Sequence, residues 1–261
     1  MVSEIHPSTS IDSGAYVGEG VSVGPGAVIG ADVRMGDGCQ VGANAVIEGP
    51  AEIGPGCRIF PGAIIGTEAQ YTALEGEGGR VEVGANTVVR EGATINRSFK
   101  EGGVTRVGEE CYLMMQAHVA HDCLLGDRVI LTNSTALSGH IEIGSDAFIA
   151  GFTAIHQFVR IGDGVILIGP TAVRKDVLPY TKTDGNPPEV RGLNTIGLRR
   201  MGVTAEIRGH LKRAYRILFQ ESKTVEEAIG KIEAELPVGR EIKTVVDFLK
   251  VSERGVYRGG V

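Results

Sequence analysis

The segment AHVAHDCLLGD, residues 117–127, places His118 and His121 three apart and follows the second with Asp122. Imidazole changes charge near neutral pH, and an adjacent carboxylate can fix which ring nitrogen carries the proton. The pattern suits a general base. Two further blocks repeat the residue types, SGH at 138–140 and IHQF at 155–158. Whether His118, His121, His140 and His156 act together depends on how the chain folds back on itself.

The answer lies in a period of six. From Ile5 to Val173, every sixth residue is Ile, Val, Leu or Met at 26 of 29 positions, with Tyr71, Glu77 and Glu101 the exceptions. Glycine usually follows the aliphatic residue. Three places after it stands Gly, Asn or Asp, as at Gly26, Asn44, Asn86 and Asp122, types that tolerate positive φ at a corner. Such hexads are short strands joined by corners, and they form parallel β-helices. Three hexads close one triangular coil, and coils stack at ~4.8 Å. Residues 5–178 then predict nine or ten coils in a prism ~45 Å long. The expected fold is mainly β: a left-handed parallel β-helix over 1–178, then a linker and C-terminal α-helical domain over 179–261. The left hand is what resemblance to other hexapeptide proteins implies, against the usual crossover rule.

Two excursions, near 67–82 and 97–106, keep the period in phase. Function often sits in such departures from a rigid stack. Beyond Pro179 the stretch YTKTDGNPPEVRG reads as a linker. Thr204 then caps a helix to about Gln220, Thr224 and Glu227 form a capping box, and Ile242 to Val251 supply a third helix. These helices are expected to cover the open end of the prism.

Stacking turns sequence separation into position. Residues 18 apart lie above one another, so His121, Gly139 and Gln157 share a column, Asp122 and His140 share the next, and His156 is one residue to the side. Four of the six histidines are thereby expected on one edge, within ~10 Å. His118, His121 and His140 also present a possible zinc set, the basis of a carbonic-anhydrase-like hydratase reading. Asp122 directly after His121 favours the base.

Composition narrows the field. The chain has 261 residues, a net charge of −6, 42% hydrophobic and 22% charged residues, 39 glycines and no tryptophan. An acidic balance argues against general nucleic-acid binding. No apolar run approaches the ~18 residues of a membrane span, and MVSEIHPSTS is no secretory signal, so a cytoplasmic location is expected. Cys39, Cys57, Cys111 and Cys123 occupy an interior slot and are expected to be reduced fillers.

The blocks MMQAHVAHDCLLGD, ALSGHIEIG, FTAIHQFVRIG and GLNTIGLRRMG resemble the UDP-N-acetylglucosamine O-acyltransferases of lipid A biosynthesis over nearly the whole chain. The resemblance implies a homotrimer with sites between prisms. It also implies transfer of an (R)-3-hydroxyacyl chain from an acyl carrier protein thioester to the 3-hydroxyl of a UDP-amino-sugar, without metal or other cofactor. On it, His121 matches the base, Asp122 its orienting partner, and the Gly139 N–H the oxyanion donor. His118, His140, His156, Gln157 and Gln70 match substrate contacts, Asn194 and Arg200 lie near the nucleotide, and Gly169 matches a position limiting acyl length. Family members usually carry Gln-Asp-Leu-Lys where this chain has Gln70, Tyr71, Thr72 and Ala73. Ile196 replaces a glutamate, and Asn96 a histidine. An altered acceptor such as a 3-amino sugar nucleotide is therefore a second expectation.

Arg199, Arg200, Arg208, Lys212, Arg213 and Arg216 make the start of the tail basic in an acidic protein. Docking of an acidic carrier protein is the functional reading. Other acyltransferases using acetyl-CoA, and a non-catalytic scaffold, are weaker alternatives.

Overall fold

In the computed structural model, which describes residues 4–72, 78–237 and 239–259, the aliphatic series becomes the interior of a three-sided prism. Down one side, Ile29, Ile47, Ile65, Ile95, Val119, Leu137, Ile155 and Val173 pair in sequence as parallel neighbours. All eight are buried. Most strands are two residues long, with the aliphatic residue inward and its predecessor outward, as in His118–Val119 and Ala136–Leu137. The strands form three sheets of 11, 9 and 8 members among the described residues. The fold is a left-handed parallel β-helix with C-terminal helices; the period predicts the coil, and the resemblance to hexapeptide proteins its hand.

The step between stacked residues is normally 18, as from Ile29 to Ile47. It is 30 from Ile65 to Ile95 and 24 from Ile95 to Val119. The surpluses, 30 − 18 = 12 and 24 − 18 = 6, are multiples of the hexad. Each excursion is therefore extruded from a corner without rotating the coils above it.

Corners turn through left-handed backbone. Asp122, His140 and Phe158, one per coil, have φ of 60°, 60° and 63°. A bulky ring is rare there. The four thiols are free and buried. Three reach a corner carbonyl 15 residues on: Cys39 to Gly54 at 3.2 Å, Cys111 to Gly126 at 3.2 Å and Cys123 to Ser138 at 3.1 Å. Burial pushes Cys123 up to about 12, which leaves it inert.

The stretch expected as a linker is structured. Thr181–Asp184 extends the largest sheet in parallel beside Ile166–Leu167, and Glu189–Leu193 turns back antiparallel. Among the described residues four α-helices follow: α1 (Thr195–Arg200), α2 (Ala205–Arg216), α3 (Val225–Glu235) and α4 (Arg240–Lys250). Helix α1 is absent from the sequence reading. Thr204 and Thr224 cap α2 and α3, and Glu227 returns a bond to the Lys223 N–H at 2.9 Å. After α2 the chain widens into a π turn, Ile217–Glu221. Leu178, Tyr180, Leu198, Leu211, Tyr215 and Leu249 belong to a second core under these helices. The segment after α4 then returns to the prism through the isolated bridge Asp176–Val256. Among the described residues, no helix is long and apolar enough to cross a membrane.

Candidate active site

His121 follows the strand His118–Val119 at a prism corner and is 5% exposed. Its Nδ1 lies 2.8 Å from Oδ2 of Asp122. A carboxylate only accepts, so Nδ1 carries the proton and Nε2 is left with its lone pair. Gly139, one coil on, lies against the ring. A Cβ there would come within 2.4 Å of Cε1 and 2.7 Å of Nε2. The His140 N–H donates to the His121 carbonyl at 3.1 Å, which locks the two corners together.

An aromatic shell surrounds the imidazole. Phe99, from the second excursion, sets its ring edge-on to His121 at 5.2 Å and to His140 at 5.6 Å. Tyr71, from the first, packs on Phe99 at 5.0 Å and lies 5.9 Å from His121. Phe158 stacks flat on His140 at 4.7 Å. Burial holds the His140 and His118 imidazoles below the usual histidine range. A cleft of about 600 Å³ opens beside His140, with Lys100, Asp122, Phe158 and Arg160 also in its walls.

The structure brings together His121, Asp122 and His140, whose ligand-type atoms lie within 4.8 Å of one another. It does not assemble the set of His118, His121 and His140. His118 has its Nδ1 2.7 Å from the Thr94 hydroxyl. His156 lies 3.2 Å from the Arg254 guanidinium. Of the four expected histidines, His121 and His140 form a close pair, their ring centroids 5.2 Å apart. Gln70 and Gln157 are exposed.

Several other expected residues have work in the fold. The Asn194 amide caps α1 through the Gly197 N–H at 2.9 Å and donates to the Gly164 carbonyl at 2.9 Å. Gly169 is packed so tightly that a Cβ would lie 2.3 Å from the Gly151 carbonyl oxygen. In the basic tail, Arg213 pairs with Glu221 and, at 2.6 Å, with Glu235, while Arg208 bonds the Val203 carbonyl at 2.5 Å. Arg199, Arg200, Lys212 and Arg216 stay exposed. Ile196 is 63% exposed, and Asn96 is buried, bonded to Thr67 and the Glu68 carbonyl. Ala73 lies outside the described residues.

Phe99, Tyr71, Phe158 and Arg254 are site neighbours that residue spacing did not single out. Phe99 was signalled only by its place in an excursion; Tyr71 stood out besides as a break in the period and a departure from the family's Gln-Asp-Leu-Lys segment.

Comparison with known proteins decides the family. A relative from Thiobacillus denitrificans, an acyl-[acyl-carrier-protein]--UDP-N-acetylglucosamine O-acyltransferase, is 40% identical over 98% of this chain and all of its own length. The chain belongs to that family. A counterpart of the same description from Thermodesulfovibrio yellowstonii is 39% identical over the same span. The family profile for domain 2 of UDP-N-acetylglucosamine O-acyltransferase matches residues 176–257, and that for bacterial transferase hexapeptides matches 32–67. The UDP-N-acetylglucosamine acyltransferase LpxA of Bacteroides fragilis superposes with a TM-score of 0.94 at 40% identity, covering 97% of this chain and 99% of its own. LpxA of Acinetobacter baumannii gives a TM-score of 0.94 at 34% identity, with the same coverage.

Proposed function

We propose that this chain moves an (R)-3-hydroxyacyl group from the thioester of acyl carrier protein to the 3-hydroxyl of UDP-N-acetylglucosamine, the first step of lipid A biosynthesis. The observation that carries the reading is the His121–Asp122 pair seated against Gly139. A sugar hydroxyl is a weak nucleophile at neutral pH. Nε2 of His121 takes its proton as the oxygen attacks the thioester carbonyl. The Gly139 N–H donates to the oxyanion of the tetrahedral intermediate. Collapse breaks the C–S bond, and the pantetheine thiolate recovers the proton from His121. Asp122 keeps the ring in the productive tautomer throughout.

In this reading His118, His140, His156, Gln157, Gln70, Asn194 and Arg200 contact substrate around the pair, and Gly169 borders the acyl chain. Exposed Lys212 and Arg216 meet the acidic carrier protein. The working form is a cytoplasmic homotrimer. Its support is an outward ladder of Val88, Tyr112, Ile130, Phe148 and Ile166 on one prism face. These side chains are half-buried in the lone chain, an apolar stripe suited to a partner.

The test is His121→Ala, expected to cut transfer by ~10³ or more while the oligomer stays folded. Normal turnover in that variant overturns the reading. Tyr71, with its ring on Phe99, and exposed Ile196 favour a second acceptor, a UDP sugar bearing a 3-amino group. Side-by-side assay of the hydroxyl and amino acceptors decides between them.

A further inference from the structure

We infer that Ser98 is a positioning residue for the catalytic pair, the third member of a Ser98–Asp122–His121 chain. The inference rests on the general-base role of His121. Ser98 belongs to the second excursion and is fully buried. Its Oγ lies 2.6 Å from Asp122 Oδ1 and 3.1 Å from the Lys100 N–H. The amide can only donate, so the hydroxyl accepts from it and turns its single proton to the carboxylate. The alternative acceptor, the Lys100 carbonyl, is farther at 3.4 Å. The Phe99 N–H approaches Asp122 Oδ2 from the same loop at 3.4 Å.

Asp122 therefore meets donors on both oxygens. From one side come Ser98 and Phe99, from the other the His121 Nδ1–H. Donors select the ionised carboxylate, and an ionised carboxylate accepts from Nδ1 rather than donating to it. Without Ser98 the carboxylate plane is free to turn out of line with Nδ1, which weakens that bond and loosens the tautomer. The Asp122 backbone is pinned separately, its N–H donating to the Thr105 hydroxyl at 2.7 Å. Ser98 thus governs the carboxylate plane and not the corner itself.

Both excursions converge on holding this hydroxyl. The Ser98 carbonyl accepts from the Gly79 N–H at 2.8 Å, and a Cβ on Gly103 would sit 2.2 Å from Ser98 Oγ. Glycine at 103 makes room for the hydroxyl. Arg97 anchors the loop start through the Gly49 carbonyl at 2.8 Å.

Ser98→Ala in the full-length enzyme tests this. The expected result is a kcat reduced about tenfold, the scale of lost outer contacts to a functional histidine, with KM for both substrates little changed. The ring ¹⁵N spectrum of His121 should show the Nε2–H tautomer gaining population. Ser98→Cys keeps a donor, weaker and on a larger atom, and its kcat should fall between those of the parent and the alanine variant, which also serves if the alanine variant fails to fold. Wild-type kcat in either variant overturns the proposal. So does lost activity with an unchanged ¹⁵N spectrum, the mark of a merely structural loop residue. The spectrum reads the tautomer whether or not His121 is the base, and His121→Ala tests that separately.

Discussion

Gly139 faces the imidazole of His121 so closely that a methyl group there would lie 2.4 Å from Cε1. The glycine is a matter of space: its φ lies outside the left-handed range, so the backbone at 139 accepts an L side chain. Gly139→Ala should therefore leave the melting temperature within a few degrees of the parent and push the ring away from the reacting oxygen. Misplacement of about 1 Å costs on the order of 10²-fold in rate. A kcat near the parental value would show that the ring tolerates the methyl.

Gly169 poses the opposite case. A Cβ there would meet the Gly151 carbonyl oxygen at 2.3 Å and the Thr153 hydroxyl at 2.8 Å. Backbone cannot give way as a side chain can. Gly169→Ala should destabilise by about 1–3 kcal/mol, the range for overpacking, read as a lower denaturant midpoint. Any change in preferred acyl length should appear together with that loss. A variant of parental stability and shortened acyl preference would assign Gly169 a purely steric role in the substrate groove.

The prism was legible because a large aliphatic residue returns to the interior every six positions, and Ile47 over Ile65 and Ile95 follows from counting. The His121–His140 pair was legible for the same reason. Counting fixes where a Cα lies, not where its side chain turns. His156 keeps its place in the stack, yet its ring meets Arg254, which arrives from 98 residues away. Phe99 and Tyr71 sit where the period lapses, so nothing local predicts that they close over His121. The hairpin at 181–193 was hidden because Asn186, Pro187 and Pro188 look like a linker while lying between two paired strands.

The Phe99 shell should govern the competition between sugar and water. A base that activates a hydroxyl also activates water, which would release free acid from the thioester. Phe99 covers both His121 and His140 edge-on. Phe99→Ala should raise the fraction of acyl groups lost as free hydroxy acid several-fold, on the principle that closure protects reactive intermediates from hydrolysis. Mass spectrometry of acid against acyl sugar measures the ratio. An unchanged ratio at reduced rate would make Phe99 only a packing residue.

Within the basic tail the structure separates two kinds of cation. Arg213 is already neutralised by Glu221 and Glu235, whereas Lys212 and Arg216 are exposed. The double reversal Lys212→Glu/Arg216→Glu should lower kcat/KM for acyl carrier protein about tenfold or more at low salt, and the deficit should shrink as salt is added. Arg213→Ala should leave that parameter close to normal. Equal losses in both variants would place docking elsewhere.

Asp176 links the last coil to the segment after α4 and should make stability depend on pH. It is fully buried, accepting from the Arg160 N–H at 2.8 Å and the Ser252 hydroxyl at 2.7 Å. Burial raises its carboxyl above the ordinary value, against the pull of those bonds and of Arg160 and Arg254. A raised acid binds its proton more tightly in the folded chain. Its contribution is therefore fully present below the unfolded value, about 4, and is lost as pH rises through the higher folded value. Asp163, raised for the same reason, adds in the same direction. Asp176→Asn keeps an acceptor for Arg160 and removes the charge, so melting curves between pH 4 and 7 should slope less steeply than in the parent, with the gain largest at pH 7. A steeper slope would mean that the nearby arginines outweigh the cost of burial.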